Sequence, residues 1–225
     1  MLSAGLPQGT VPKLERPGPL RERVYEALLE LITTRALRPG QHLVESELAG
    51  HLGVSRQPVR EALQRLNTEG WVDLRPAQGA FVHEPTEEEA DQLLTVRTLL
   101  EAEAARLAAA NAGSAGIAAL EELCARGESA VADGDVDLVV ATNAAFHAKV
   151  MELAGNVVLA ELAGRVDGRV RWYYTPVARQ RGIRSWVEHR ELIAAIAARD
   201  EVRAVAVMRA HTEHTRRTYH DRAPA

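Results

Sequence analysis

Apolar residues recur at helical intervals along most of the chain, and turn-forming residues separate the runs. The first run begins at Leu20 and stops before the turn signal at 38–40, which predicts one helix. Shorter runs of the same period predict helices over 45–52 and 55–69. The segment 71–82 instead has the pattern of two short strands around a turn that contains Pro and Gly. The pattern therefore predicts three helices followed by a β-hairpin.

Beyond residues 83–85 the chain changes to long stretches rich in Ala and Leu, with charges at intervals. Such stretches favour helices, and Gly residues and a loop over 175–182 separate them. Asp200 is placed to cap the last helix with its carboxylate. The predicted helices of this region are 87–110, 115–132, 136–153, 157–174, 183–198 and 201–220. The fold class is therefore mostly α, and this region is predicted to be an antiparallel bundle of six or seven helices.

These changes of pattern divide the chain into three segments. Residues 1–18 contain several Pro and Gly and little apolar periodicity, so we expect a disordered lead-in. Residues 19–83 are predicted to form the small domain of helices and hairpin, and residues 86–221 the helical domain.

Composition limits the class of protein that these domains can form. Of the 225 residues, 46% are apolar, which is enough for a sizeable core. Cys124 is the only cysteine, so no internal disulfide can form. No uninterrupted apolar stretch is long enough to span a membrane, and the first residues lack the basic and apolar regions of a secretory signal. We therefore expect a cytoplasmic protein with no membrane partner.

The segment 45–64 has the residues that two crossed helices require. Ala49 is small enough for the helices to approach each other, and Gly53 suits a left-handed turn. Ser55 can cap the second helix through its hydroxyl, and Pro58 falls in the first turn, where a missing N–H does no harm. The sequence therefore predicts a helix-turn-helix whose second helix begins at Ser55.

The outer face of this second helix carries side chains that can read a DNA groove. Arg can donate two hydrogen bonds to guanine, Gln can pair with an adenine edge, and Ser can hold a phosphate. The residues expected on this face are Ser55, Arg56, Gln57, Arg60 and Gln64. The formal net charge of −4 argues against a protein that coats nucleic acid nonspecifically, but a specific reader needs only a local cluster of Arg. The alternative is an ordinary amphipathic helix whose arginines are merely solvated.

A longer set of residues resembles the winged helix-turn-helix of the GntR family over about 19–82. The set is Pro39-Gly40, Glu47-Leu48-Ala49, Leu52-Gly53-Val54-Ser55-Arg56-Gln57-Pro58-Val59-Arg60-Glu61-Ala62-Leu63, Gly70 and Gly79-Ala80-Phe81-Val82. The resemblance implies that Arg56 and Arg60 contact bases or phosphates and that Gln57 lies in the major groove. It also implies that the wing tip at Gln78-Gly79 reaches the minor groove. Ser46 stands where some relatives carry a DNA-contacting Arg, which implies a weaker contact here.

The helical region, over about 86–220, resembles the FCD effector domains of the FadR branch of that family. The segment Val96-Arg97-Thr98-Leu99-Leu100-Glu101 resembles their opening helix. Such proteins are homodimers, usually repressors, that bind a double-stranded operator with an inverted repeat. The resemblance thus implies a transcription regulator whose operator affinity responds to a small molecule, expected to be a carboxylate.

A set of polar residues stands out in the predicted helices of this region. Asn143 and His147 are four residues apart and share a helix face, while His189 and His211 belong to the last two predicted helices. In the family these positions hold a divalent metal, usually with Asp in place of Asn143. Three imidazoles and an amide oxygen suit a transition metal of the Zn, Ni or Mn class. The Asn removes a negative charge, so either the affinity falls or the pocket works without metal. The alternative is that these His are satisfied polar groups or surface residues.

Other residues leave two interpretations open. Arg97 could anchor an effector carboxylate, or it could pair with Glu101 four residues on. His214 could substitute as a metal ligand, or it could lie on an exposed helix face. The cluster over 179–184 is interpreted as a solvated loop. The aromatic residues Trp172, Tyr173 and Tyr174 are expected to pack in the core or line the cavity.

The function predicted from these features is that of a regulator and not of an enzyme. A metal-dependent hydrolase with a DNA-binding appendage is the alternative, because open His sites also activate water. The sequence offers no evident general base beside the His set and no Gly-x-Ser-x-Gly motif. An architectural DNA binder without an effector is a third possibility.

Overall fold

The computed structural model describes residues 19–174 and 177–221 and divides the chain into two compact units, Met1–Glu84 and Pro85–Ala225. Residues 1–18 and the side chains of Tyr173 and Tyr174 lie outside the described residues, and so do the predictions made for them. Each unit is described by itself. No described helix combines the length and the apolar character that crossing a membrane would require.

The first unit contains three helices and a small antiparallel sheet in its described part. The elements are α1 Pro19–Thr33, β1 His42–Leu43, α2 Glu45–Leu52, α3 Arg56–Thr68, β2 Val72–Arg75 and β3 Gly79–Val82. The strand order is β1-β3-β2, and His42 pairs with Phe81 at the edge. The sequence predicted β2 and β3 but not β1, because two residues are too short to show an alternation.

The helix-turn-helix is built as the sequence predicts, with one exception at the helix start. Gly53 adopts φ 65° and ends α2, and Val59 and Leu66 of α3 are fully buried against α1. Ser55 stands at the N-cap of α3, but its hydroxyl makes no capping hydrogen bond, contrary to the prediction. The third residue of α3 is Pro58, which has no N–H to donate, so one of the two usual partners of a capping side chain is missing.

The second unit is an all-α bundle, so the predicted fold class is confirmed. Its helices are α4 Glu87–Asn111, α5 Ser114–Asp133, α6 Val136–Ala154, α7 Val157–Tyr174, α8 Ala178–Ala197 and α9 Glu201–His220. Helices α4 and α9 run antiparallel, since Arg106 pairs with Glu201 at one end and Asp91 with His220 at the other. Asp200 accepts a hydrogen bond from the backbone of Arg203 and caps α9, as predicted.

Helix α8 begins earlier than the sequence suggests, and the predicted loop over 179–184 is wrong. The helix starts at Ala178 and continues across a kink at Gly182, where φ is 43° and ψ is −135°. Arg181 is consequently buried and not solvated. A glycine with this backbone conformation interrupts the helical pattern, which is why the start of the helix was placed after it.

The core of the second unit combines small residues on α4 with large aromatic side chains on α6 and α8. Ala104, Ala105 and Ala108 are fully buried, and such small side chains let neighbouring helices approach closely. Trp186 is also fully buried and lies against α5 at Gly127. A Cβ at Gly127 would overlap the indole ring of Trp186, so this glycine makes room for the largest side chain of the core.

We expect Gly127→Ala to destabilise the protein by about 1–3 kcal/mol, the usual effect of overpacking a close-packed core. The measurement is the midpoint and slope of urea unfolding. Gly164→Ala on α7 is the matched control, because an added Cβ there meets no atom within 4 Å. Ala is the better helix former, so the control is expected to be neutral or slightly stabilising. Equal effects of the two substitutions would contradict the packing argument.

Candidate functional site

One face of α3 is exposed and carries the polar residues that the sequence predicts there. The opposite face is buried through Pro58, Val59, Ala62, Leu63 and Leu66. The side chains of Arg56 and Arg60 are 64% and 50% exposed. Both guanidinium groups therefore point away from the core of the first unit.

The remaining predicted DNA-reading residues are also exposed, but only some share one surface. A groove of about 580 Å³ between α3 and the β-hairpin brings Ser46, Arg56, Arg60, Gln64 and Gly79 together. Ser55, Gln57 and Gln78 are exposed outside the lining of this groove. The Gln57 amide donates to Oε1 of Glu61 at 2.8 Å.

Glu45, the first residue of α2, holds both arginines of this face. Nε and Nη2 of Arg60 donate to its two carboxylate oxygens at 2.9 and 2.8 Å, and Nη2 of Arg56 lies 3.4 Å from Oε2. The hydrogen bond from Arg60 lowers the pKa of Glu45, so the carboxylate stays ionised. The local sequence pattern did not predict a role for Glu45.

An aromatic stack, which the local sequence pattern did not predict, joins β1 to the hairpin. The ring of His42 stacks on Phe81 at 4.7 Å, and the guanidinium carbon of Arg75 lies 4.2 Å from the Phe81 centroid. Gly79 has φ 99°, and a Cβ there would lie 2.8 Å from Nε2 of His42. These contacts fix the shape of the hairpin beside the groove.

In the second unit, three histidines from three helices meet in the interior. His147 of α6, His189 of α8 and His211 of α9 are buried, and a ligand atom of each lies within 4.8 Å of the others. Their ring centroids are 4.7 to 5.2 Å apart. Asn143 lies one turn before His147, and its buried Oδ1 has no hydrogen-bond partner among the described residues.

Two carboxylates, those of the buried Glu101 and the partly buried Glu188, face two of these rings. Nδ1 of His147 lies 3.1 Å from Oε1 of Glu101, and Nδ1 of His211 lies 2.8 Å from Oε2 of Glu188. Each carboxylate also pairs with a buried arginine. Nε of Arg97 donates to Glu101 at 2.9 Å, and Nη2 of Arg181 pairs with Glu188. The result is two Arg–Glu–His chains that converge on one point.

The protonation states of the cluster follow from burial and from these pairs. Burial lowers the pKa of His211 to about 4, against the opposing effect of Glu188, and lowers the pKa of His189 well below its usual value. Burial alone would raise the pKa of Glu188, but hydrogen bonds from His211 and Arg181 outweigh it and bring the pKa to about 2. The charge of Arg97 likewise outweighs burial and lowers the pKa of Glu101. His189 and His211 are therefore neutral, and the two carboxylates are ionised.

The donor set fits a divalent metal. Neutral imidazole is the form that coordinates, and both ring nitrogens of His189 are buried without a hydrogen-bond partner among the described residues. Nδ1 of His147 and of His211 faces a carboxylate, which leaves Nε2 as the ligand atom. Two nitrogens on one zinc ion are at most about 4.2 Å apart, so small ring movements would bring the triad to that span.

A cavity of about 440 Å³ adjoins this cluster between α4, α6 and α7. Its polar wall is formed by Arg97, Glu101, His147, Glu152 and Asn156. Most of the remaining wall is apolar, through Leu100, Ala148, Met151, Val157, Ala160, Ala163 and Val166. His147 thus belongs both to the histidine cluster and to the cavity wall.

Comparisons with known proteins identify both units. The family of bacterial regulatory proteins named gntR matches residues 20–82, and the FCD domain matches residues 92–214. The chain belongs to the GntR family and carries an FCD domain. It is a DNA-binding transcription regulator.

Individual relatives agree over most of the chain. An uncharacterized regulator of Bacillus subtilis strain 168, YdhC, is 27% identical over 207 residues, which are 90% of this chain and 92% of the relative. The Nta operon transcriptional regulator of Aminobacter aminovorans is 31% identical over 178 residues, or 78% and 83% of the two chains. The structure of Escherichia coli McbR/YncC matches with a TM-score of 0.75 and 25% identity, over 90% of this chain and 98% of that one. These relatives are named as regulators, which favours the regulator over the hydrolase.

In this GntR-family chain, the contacts of Arg97 and His214 bear on the two interpretations left open for each. Arg97 does pair with Glu101, and it also lines the cavity, so the two roles are compatible. His214 is 49% exposed and pairs with Oε1 of Glu188 at 2.7 Å, outside the histidine cluster. Glu188 and Arg181 were not among the site residues predicted from the sequence. A helix drawn back to Ala178 would have placed Arg181, Ser185 and His189 on one buried face.

Proposed function

We propose that this GntR-family regulator is a homodimeric repressor whose operator affinity is controlled by a small organic acid bound in the FCD domain beside a divalent metal. The observation that carries the proposal is the double position of His147, in the histidine cluster and in the wall of the 440 Å³ cavity. A ligand in the cavity would therefore reach the metal.

The exposed face of α3 supports DNA reading by the first unit. Arg56 and Arg60 would donate to guanine edges or phosphates, and Gln57 and Gln64 would meet base edges in the major groove. Ser46 and Ser55 would contact phosphates, and the hairpin tip at Gln78 and Gly79 would reach the minor groove. Two copies related by a twofold axis would read an inverted repeat.

The histidine cluster supports a metal of the Zn, Ni or Mn class. His147, His189 and His211 would hold it, with the Asn143 amide oxygen as a fourth donor. When bound, the metal supplies positive charge and an open coordination position. Glu101 and Glu188 would keep two of the rings in the ligating tautomer.

Charge balance in the cavity links the effector to the metal. Arg97 and Glu101 form a buried ion pair in the wall, and Glu152, which also lines the cavity, pairs with Lys149. The lining residues thus offer a carboxylate no unpaired arginine or lysine. A carboxylate placed there would be an unbalanced buried charge unless a divalent cation lay beside it. The apolar remainder of the wall suits an acid with an apolar body.

DNA reading is tested by selecting duplexes from a random library with the full-length protein. We expect an inverted repeat, and Arg56→Ala or Arg60→Ala to weaken its binding by about 1–3 kcal/mol, or roughly 5- to 150-fold, in a gel shift. Arg126→Ala is the control, because Arg126 is exposed on α5 of the other unit and the change in charge is the same. Wild-type affinity in both arginine variants of α3 would refute the assignment.

Metal binding is tested through the fluorescence of Trp186, whose ring centroid lies 4.8 Å from that of His189. We expect Ni²⁺ added to chelator-treated protein to quench tryptophan emission and to saturate at about one equivalent per chain, since one cluster of this kind holds one ion. His189→Ala should abolish the quenching. His51→Ala, an exposed histidine of α2, should leave it unchanged. Quenching that survives His189→Ala would show that the cluster is not the site.

Effector binding is tested by thermal shift with acetate, hexanoate, octanoate and citrate, on Ni²⁺-loaded and chelator-treated protein. We expect the two longer monocarboxylates to raise the melting temperature of the loaded protein only, because a ligand that binds the native state stabilises it. Ala160→Phe would fill the cavity and remove the shift, whereas Ala125→Phe on the exposed face of α5 would not. A shift that persists in Ala160→Phe would place the effector elsewhere.

A further inference from the structure

We propose that Glu45 determines how specifically the regulator distinguishes its operator from other DNA, by fixing the geometry in which Arg56 and Arg60 meet the groove. The inference rests on the proposed role of these two arginines as DNA-reading residues. Glu45 acts through them as a positioning residue.

Both arginines contact the same carboxylate, that of Glu45. Arg60 and Glu45 meet fork to fork, with Nε on one carboxylate oxygen and Nη2 on the other. Arg56 approaches the same carboxylate through its own Nη2. The side chain of Glu45 is 25% exposed, against 64% and 50% for the two arginines, so the carboxylate is the less accessible partner of each pair.

The contact with Glu45 leaves part of the Arg60 guanidinium free to donate hydrogen bonds. A carboxylate that occupies Nε and one hydrogen of Nη2 leaves Nη1 and the other hydrogen of Nη2 of Arg60 available. Those two groups are a complete pair of donors for O6 and N7 of guanine. Glu45 therefore leaves Arg60 able to approach a guanine through Nη1 and Nη2, the end of its guanidinium group.

The contact with Glu45 also reduces the conformational entropy that Arg60 loses when it binds a base edge. A long exposed arginine samples many rotamers, and ordering it on a base edge costs conformational entropy at the moment of binding. The bidentate pair orders Arg60 before DNA arrives. This gain applies to the operator, where one rotamer makes the base contact, and not to a nonspecific duplex, where any cation near a phosphate suffices.

Glu45 also affects DNA binding through its negative charge. Glu45 places a negative charge on a face that meets phosphates, and this charge weakens binding to any sequence. Removing it is therefore expected to strengthen nonspecific binding while weakening operator binding. A carboxylate that was only an electrostatic neighbour would shift both affinities in the same direction.

The chain offers a matched control in Glu47. It lies exposed on the same helix. Among the described residues, no hydrogen bond or ion pair joins its carboxylate to Arg56 or Arg60. Glu47→Gln removes the same charge from the first turn of α2 without releasing an arginine. A comparison of the two Gln variants thus separates positioning from charge.

The experiment measures the affinity of the full-length protein for the selected inverted-repeat duplex and for a scrambled duplex of the same composition, by fluorescence anisotropy at several KCl concentrations. For Glu45→Gln we expect the ratio of specific to nonspecific affinity to fall on the order of tenfold, within the range of one lost base contact. For Glu47→Gln both affinities should rise together and the ratio should hold. Glu45→Asp keeps the charge but is too short for the fork, so it should lose specificity without gaining nonspecific affinity.

Failure of the inference and failure of the proposed function have different signatures. If Arg60→Ala weakens operator binding but Glu45→Gln behaves like Glu47→Gln, the positioning role of Glu45 is overturned and DNA reading by α3 stands. If Arg60→Ala has no effect on operator binding, the proposed DNA-reading role itself fails. Thermal unfolding of each variant confirms that the helix-turn-helix is intact.

Discussion

The second unit depends on how an apolar helical bundle accommodates charged groups in its interior. Two arginines, one glutamate and three histidines are buried there among alanines and large aromatic side chains, and a second glutamate, Glu188, is partly buried. Each arginine neutralises a glutamate, and each glutamate faces the Nδ1 of one histidine. Removing one partner would leave a buried charge, which is far more costly than the pair itself is stabilising. The charges are therefore arranged as two interdependent chains, and both chains orient a ring toward the same point.

Among the three described histidines, His189 is the one without a carboxylate beside its ring. Neither of its ring nitrogens has a hydrogen-bond partner among the described residues, and the Oδ1 of Asn143 is in the same position. A buried polar atom without a partner costs about 1–3 kcal/mol. A bound cation would take one ring nitrogen of His189 and the Oδ1 of Asn143 as ligands, so the metal proposed here would also contribute to the stability of the bundle. Arg–carboxylate pairs also occur in the first unit, where Glu45 contacts two arginines at the surface. In the second unit the carboxylates of such pairs face imidazoles in the interior.

The sequence was sufficient for the features that depend on local pattern, and insufficient for those that depend on contacts between distant residues. Period and turn chemistry located α3, the left-handed turn at Gly53 and the exposed arginines. They could not reveal that Glu45 reaches Arg60, since the partners are 15 residues apart and lie on different helices. Helix α8 shows a different limit. Gly182 breaks the local pattern, but tertiary packing against α5 and α9 continues the helix across it and buries Arg181.

The wall of the cavity indicates where an effector could gain differential affinity within the FCD domain. An effector changes an equilibrium only as far as it binds one arrangement better than another. Within 157–166 of α7 no described residue is buried, and the residues that line the cavity are small or medium-sized: Val157, Ala160, Ala163, Gly164 and Val166. The position of this segment is thus weakly specified by packing compared with that of α4, whose alanines are fully buried. An acid with an apolar body would supply the missing contacts to α7 while its carboxylate met the metal beside His147. The free energy of effector binding would then depend on the position of α7, which is the condition that a regulatory ligand must satisfy.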